Sequence, residues 1–282
     1  MSELWPPPRT IVDKTIHRAL DEDLGGAGDL STLATIGEDQ QASGQLVARR
    51  GGTIAGLDIA SRVFELLDGE LTVTRQVRDG DQVDDATVLA TLSGSARTLL
   101  TGERTALNLL GHLSGIATAT AQVVAAVAGH DVRVADTRKT TPGLRALEKY
   151  AGRCGGGSNH RFGLHDAVLL KDNHLAIAGS ITQAVAAARA RVGHTVTIEV
   201  EIDRLDQLDE ALEAGADVIL LDNMDPPTIE AAVKQIAGQA ICEASGGITP
   251  DTARTIAATG VDILAVGWIT HSPPRLDVAI DT

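Results

Sequence analysis

Aromatic residues are nearly absent from this chain. Two Trp, two Phe and one Tyr among 282 residues cannot build the stacking surfaces on which single-stranded nucleic acids are held. Basic charge is also short. Lys and Arg number 24 against 38 Asp and Glu, a net −14, which argues against bulk binding to polyanions or anionic membranes. Cysteine is limited to Cys154 and Cys242, too few for a disulfide framework and the pattern expected in a reducing cytoplasm. No uninterrupted apolar run approaches the roughly 18–20 residues of a membrane span. The opening stretch carries Pro6-Pro7-Pro8 and no apolar run; it reads as a loose arm of about a dozen residues, with no secretory signal. Lysine is scarce too, and none lies between Lys14 and Lys139.

What is present describes a globular protein of about two domains, with 43% hydrophobic and 22% charged residues. Apolar residues from Thr10 to Asp23 recur at helical spacing, and the Gly25–Asp29 cluster ends that helix in a loop. Leu46–Ile54, Leu71–Val77 and Thr87–Leu92 read as strands, with a tight turn at Arg78-Asp79-Gly80-Asp81 and a helix over Leu57–Leu67. A long helical pattern runs from about Gly102 to Ala128. The rhythm then changes. Six short apolar runs (Val132–Ala135, Ala167–Leu170, Val196–Val200, Val218–Leu221, Ala240–Cys242, Ile263–Val266) alternate with helical stretches, the pattern of parallel strands covered by helices. The expected division is residues 1–112, 113–272 and a short tail at 273–282.

The residues after each run carry the chemistry. Asp136, Arg138 and Lys139 follow the first, Lys171 the second, Glu201 the third, Asp222 the fourth, Ser245-Gly246-Gly247 the fifth and Gly267 the sixth. In parallel α/β folds these ends share one face, and that face holds the site. Any single polar residue there simply marks where a strand leaves the core; six in succession are poorly explained that way. Residues 133–172 form a basic island with eight Lys or Arg and four acids, suited to a small, multiply anionic ligand. Within it, Arg145, Glu148 and Lys149 read as a solvated helix face. Arg138, Lys139, His160, Arg161 and Lys171 read as functional. The glycines of Gly155–Asn159 leave backbone free to approach a ligand, a weak signal alone. Ser245-Gly246-Gly247 leads into Thr249 as an N-cap and Pro250 at the first helical position, so its backbone N–H groups can receive an anion. Glu201 and Asp222 suit ribose hydroxyls or a hard cation such as Mg²⁺, or simply balance Lys139 and Lys171. Arg104 falls in the first turn of a helix starting near Gly102, where a cation opposes the macrodipole; that misfit points to recruitment for a ligand or partner.

At Asp136-Thr137-Arg138-Lys139-Thr140-Thr141-Pro142-Gly143-Leu144-Arg145, His160-Arg161 and Lys171-Asp172-Asn173-His174, the chain resembles the quinolinate phosphoribosyltransferases. Further matches are Glu22-Asp23, Gly28-Asp29, Glu103–Asn108, Glu199-Val200-Glu201, Leu221–Met224 and Glu243–Gly247. The likeness runs from about residue 20 to 272, with Gly152 a departure where a bulkier apolar residue is expected. The resemblance implies an open, TIM-like α/β barrel of about six or seven strands beside an N-terminal α/β sandwich, working as a cytoplasmic homodimer in NAD biosynthesis. It implies that Arg104 reaches the partner's site while Arg138, His160 and Arg161 grip the two quinolinate carboxylates. Lys139 and Lys171 would hold the pyrophosphate end of phosphoribosyl pyrophosphate with Mg²⁺. Glu201 and Asp222 would face the ribose, either being a candidate metal ligand directly or through water. Ser245, Gly246, Gly247, Gly267 and His271 would take the 5′-phosphate. Three other readings stay open on residues alone: a related phosphoribosyltransferase with another pyridine or base, a Schiff-base aldolase using Lys171 or Lys139, and a lipoate or biotin carrier built on the Gly80-Asp81 hairpin. The last is weakened by the missing lysine.

Overall fold

The computed structural model describes residues 4–69 and 71–282. Its strands are β1 (Gln41–Ala48), β2 (Gly52–Thr53), β3 (Thr72–Arg75), β4 (Gln82–Val83), β5 (Thr87–Ser95), β6 (Arg133–Ala135), β7 (Val168–Leu170), β8 (Ile198–Ile202), β9 (Val218–Asp222), β10 (Ile241–Ser245), β11 (Ile263–Ala265) and β12 (Val278–Asp281). They fall into two compact units. One comprises the chain up to Ala121, Thr140–Gly156 and Ile269–Thr282; the other is Gln122–Lys139 with Gly157–Trp268. This division differs from the expected cuts at 112 and 272, because the chain returns to the first unit twice.

In the first unit an antiparallel sheet runs β12-β1-β5-β3, with β2 and β4 forming a separate pair. Helix Arg9–Leu24 turns Val12, Ile16 and Leu20 inward at every fourth position. Helix Leu57–Leu67 buries Leu57, Ile59, Ala60, Val63 and Phe64. These join Leu89, Leu92, Leu110 and Leu113 in one apolar cluster, each large side chain contributing about 1.5–3 kcal/mol on burial.

Several expectations are corrected here. The supposed arm is already helical at Arg9, and residues 1–3 of it lie outside the described residues. The expected tail carries β12, whose Leu46↔Ile280 and Ala48↔Val278 pairs complete the sheet. The long helix is Ala96–Ala126, so Arg104 sits in its interior and the macrodipole misfit disappears. By length and composition this helix could cross a membrane, yet 61% of its most apolar window is buried inside the protein. Glu148 and Lys149 are buried at 0% and 1% exposure, because helix Arg145–Cys154 is enclosed on most sides. A charge can remain there only with partners. Glu148 has them: one oxygen meets His112 Nε2 at 2.8 Å and the other accepts the Thr141 N–H at 3.0 Å. Gly155 serves packing, since a Cβ there would lie 2.3 Å from the Ala117 carbonyl.

The second unit is a six-stranded parallel sheet, β6-β11-β10-β9-β8-β7. The edge strands β6 and β7 are not paired with each other among the described residues, which leaves an open barrel. Helices Ile181–Arg189, Leu208–Glu213, Pro226–Ile236 and Pro250–Ala257 connect its strands. The six expected strands are all present. Ala240–Cys242 proves too short, since β10 runs on to Ser245.

Candidate active site

A strand presents alternate residues to one face, so Glu199 and Glu201 on β8, Leu220 and Asp222 on β9, and Glu243 and Ser245 on β10 share parity. The register places Glu201 beside Leu220, Leu220 beside Glu243, and Asp222 beside Ser245, which is paired in turn with Ala265 of β11. All of these except Glu199 line a cleft of about 540 Å³, together with Arg138, Lys139, His160, Arg161, Lys171, Asn223, Gly246 and Gly247. The cleft therefore opens at the carboxyl ends of the strands, where parallel α/β folds place their ligands.

The basic side of the cleft is fixed from below. Asp136, buried just beyond β6, accepts the His160 N–H at 3.0 Å through Oδ1 and the Asn159 amide at 2.6 Å through Oδ2. Ser158 donates its N–H to Val134 and accepts that of Asp136, so this segment adds itself alongside β6. His160 Nε2 then lies 3.2 Å from both Glu199 and Glu243. Burial opposes protonation of this imidazole, but its bonds and charge pairs with the two carboxylates prevail and raise its pKa to about 10. The Arg161 N–H faces Nδ1 at 2.7 Å and favours the neutral ring. One amide dipole is weaker than two charge-assisted contacts, so the upward direction stands. Glu243 is itself pushed up by burial against the pull of His160.

Arg161 donates to the Ala167 carbonyl at 3.0 Å. Burial, and then the like charge of Arg138, lower its pKa. Two guanidinium groups crowded in this way are relieved when an anion arrives. Lys171 forms an ion pair with Glu201, and its N–H bonds His174 Nδ1 at 3.1 Å, which fixes the lysine at the start of helix Asp172–Ala178.

On the acidic side, Asn223 adopts a left-handed backbone at φ 54°. Gly246 and Gly247 also have positive φ, 106° and 60°, which is accessible to glycine at little cost. Thr249 caps helix Pro250–Ala257 with Pro250 in its first turn, as expected. Trp268 Nε1 donates to the Ile248 carbonyl at 2.9 Å, tying together the loops that follow β10 and β11.

Of the residues expected to form a site, Arg138, Lys139, His160, Arg161, Lys171, Glu201, Asp222, Ser245, Gly246 and Gly247 line this cleft. Gly267 follows β11 in the same unit without lining it. Arg104 and His271 belong to the first unit. The Gly155–Asn159 run is used for packing and strand pairing. Sequence reasoning gave no role to Glu199, Glu243 and Asn223 beyond their place in family motifs, and it named Asp136 at a strand end without its part in fixing His160. The Glu-x-Glu alternation at 199–201 was the available signal, because it sends both acids to one strand face. Burial raises the thiols of Cys154 and Cys242 to about 12, which leaves both without nucleophilic character at neutral pH. His160, Glu199 and Glu243 have one ligand atom each within 4.8 Å of the others, but the imidazole already engages both acids.

The comparisons with known proteins agree along the chain. Family models described as the N-terminal and C-terminal domains of quinolinate phosphoribosyl transferase match residues 29–114 and 116–281. A probable nicotinate-nucleotide pyrophosphorylase [carboxylating] of Bacillus subtilis is 45% identical over 268 residues, covering 95% of this chain and 92% of its own. The nicotinate-nucleotide pyrophosphorylase [carboxylating] of Mycobacterium leprae is 46% identical, covering 95% of each. The solved structure of the nicotinate-nucleotide pyrophosphorylase from Francisella tularensis superposes with a TM-score of 0.94 at 36% identity, covering 100% of this chain and 99% of that one.

Proposed function

The chain belongs to the quinolinate phosphoribosyl transferase family, and on that premise we propose how its cleft performs the reaction. The substrates are quinolinate and phosphoribosyl pyrophosphate; the products are nicotinate mononucleotide, pyrophosphate and CO₂, which places the step in NAD biosynthesis. The observation that carries this reading is the convergence of Arg138, Arg161, Lys139 and Lys171 with Glu201 and Asp222 on one cleft at the strand ends. A dicarboxylate and a polyphosphate repel each other, so they share a pocket only where fixed cations offset that repulsion. Planar guanidinium groups suit the quinolinate carboxylates, and lysine suits pyrophosphate as a point charge.

As the bond from C1′ to pyrophosphate breaks, positive charge grows on the ribose, and the carboxylates of Glu201 and Asp222 stabilise it. Pyrophosphate leaves with the bonding pair, held by Lys139 and Lys171. The pyridine nitrogen donates its pair to C1′, its placement lowering the barrier. The adjacent carboxylate then departs as CO₂, leaving its electrons on a ring carbon next to the new pyridinium, and a proton from water completes the product. His160, engaged by Glu199 and Glu243, sets the position of Arg161 and supplies positive field to the carboxylate end. Ser245, Gly246, Gly247, Gly267 and His271 are assigned to the 5′-phosphate. Mg²⁺ prefers oxygen donors and commonly binds through one or two carboxylates plus substrate phosphates. Glu201 and Asp222 at the mouth fit that donor set, directly or through water. Held there, Mg²⁺ would supply positive charge to offset that of the pyrophosphate. The working form is a cytoplasmic homodimer in which Arg104 reaches the partner's cleft; the exposure of Arg104 supports this.

The test is to supply the protein with quinolinate, phosphoribosyl pyrophosphate and Mg²⁺. Nicotinate mononucleotide and CO₂ are expected in equal amounts. Nucleotide formed without CO₂, or no turnover of quinolinate while another pyridine is consumed, overturns the reading. For the dimer, mixing an Arg104→Ala chain with a chain lacking Lys139 and Lys171 should restore activity that neither has alone.

A further inference from the structure

Asn223 follows Asp222 at the end of β9 in a conformation that most residues avoid. Its backbone is left-handed at φ 54°, shared among non-glycine described residues only with Ala86 and Ala237. Two bonds hold it there. Its N–H donates to the Ser245 carbonyl at 2.9 Å, and its side-chain Nδ2 donates to Asp222 Oδ2 at 2.7 Å. The neighbouring turn is fitted to the same side chain. A Cβ on Gly246 would lie 2.2 Å from Asn223 Oδ1 and 2.9 Å from its Cα, so only glycine lets the loop after β10 come this close.

The residue type is narrowly determined. Left-handed backbone is tolerated best by Gly, Asn and Asp. Glycine has no side chain, and aspartate at neutral pH offers only acceptors, which would face another carboxylate. Of these three, asparagine alone combines this backbone with a side-chain donor.

Resting on the phosphoribosyl-transfer reading, we propose that Asn223 is a positioning residue: its amide orients the Asp222 carboxylate toward the ribose while its backbone joins the ends of β9 and β10. Asp222 rotates less freely when one oxygen is bonded, and its charge is pre-aimed where cationic character develops. This contribution is made chiefly to the transition state. Loss of Asn223 therefore lowers kcat more than it weakens quinolinate binding.

The experiment compares wild type, Asn223→Gly, Asp222→Asn and the double variant by steady-state kinetics and thermal melting. Asn223→Gly keeps the backbone conformation without strain and removes only the amide. Its kcat is expected to fall about tenfold, equivalent to ~1.4 kcal/mol, with KM for quinolinate within twofold and Tm close to wild type. In the Asp222→Asn background the same change is expected to cost less than twofold. Asn223→Asp should be worse than Asn223→Gly, since it adds repulsion. Unchanged kcat in Asn223→Gly overturns the inference, as does an equal loss in both backgrounds or a loss tracking reduced Tm. These outcomes are read only once wild type turns over quinolinate; its failure to do so overturns the underlying reading and this inference with it.

Discussion

The first unit and the acid pair around His160 in the second treat enclosed carboxylates in opposite ways. In the first, Asp79 accepts from the Leu57 N–H at 3.0 Å, the Gly56 N–H at 2.9 Å and the Tyr150 hydroxyl at 2.8 Å. Glu148 has a partner on each oxygen. In the second, Glu199 and Glu243 converge on a single imidazole nitrogen; Glu199 keeps a buried Oε1 with no hydrogen bond, while Glu243 faces His160 through its own Oε1 at 3.2 Å. A buried acid with its acceptors filled holds structure together; one left under-satisfied costs stability and is tolerated where its charge is useful. Exposure alone does not separate the two kinds, since Glu148, Glu199 and Glu243 are all buried, whereas the count of filled acceptors does.

The largest effect that would sharpen this contrast is catalytic. Replacing Glu201 or Asp222 by alanine should lower kcat by about 10²–10³-fold, the range seen when one transition-state charge contact is lost, with KM for quinolinate little changed. Loss confined to KM would place these acids in ground-state binding. Next comes stability in the first unit. Asp79→Ala strands two backbone N–H groups and a tyrosine hydroxyl, and should cost about 3 kcal/mol, read as a lower denaturation midpoint with activity per folded molecule retained. Glu243→Gln should cost less stability than Glu148→Gln, yet reduce turnover more; the reverse order would break the comparison.

A subtler check is titration. His160 should titrate by NMR near 10, well above its ordinary 6.5. Because the folded value is raised, its stabilising contribution is complete below 6.5, declines as pH rises, and is lost above about 10. In Glu243→Gln that midpoint should move down. The smallest effect expected is at the phosphate-side helix, where Thr249→Ala removes an N-cap and should cost about 1 kcal/mol.

Much of the second unit was legible because its signals are local. Apolar strands alternate with amphipathic helices, and Lys171, Glu201 and Asp222 stand where each strand leaves the core. The resemblance to a known family added roles that spacing alone left open. The misses share a cause: they depend on what lies opposite in space. Helix Arg145–Cys154 has charges at ordinary solvent-facing spacing, and only its enclosure buries Glu148 and Lys149. Asp29 caps a further helix at Leu30–Thr35, through the Thr32 N–H at 3.0 Å, but the run is too short to show a period. Glu199 was hidden inside a run that otherwise reads as a plain apolar strand, and Glu243 fell just past a run read as too short.

The pairing of β1 with β12 has a consequence for biosynthesis. Gln45 and Asp281 are partners across that ladder, so β1 must wait with an open edge until a strand beyond the whole barrel has been made. Strands β6 to β11 are all available sooner. The usual order of vectorial folding, amino-terminal part first, is therefore reversed here: the barrel can mature while the sheet that precedes it in the chain is still unfinished and exposed to mispairing.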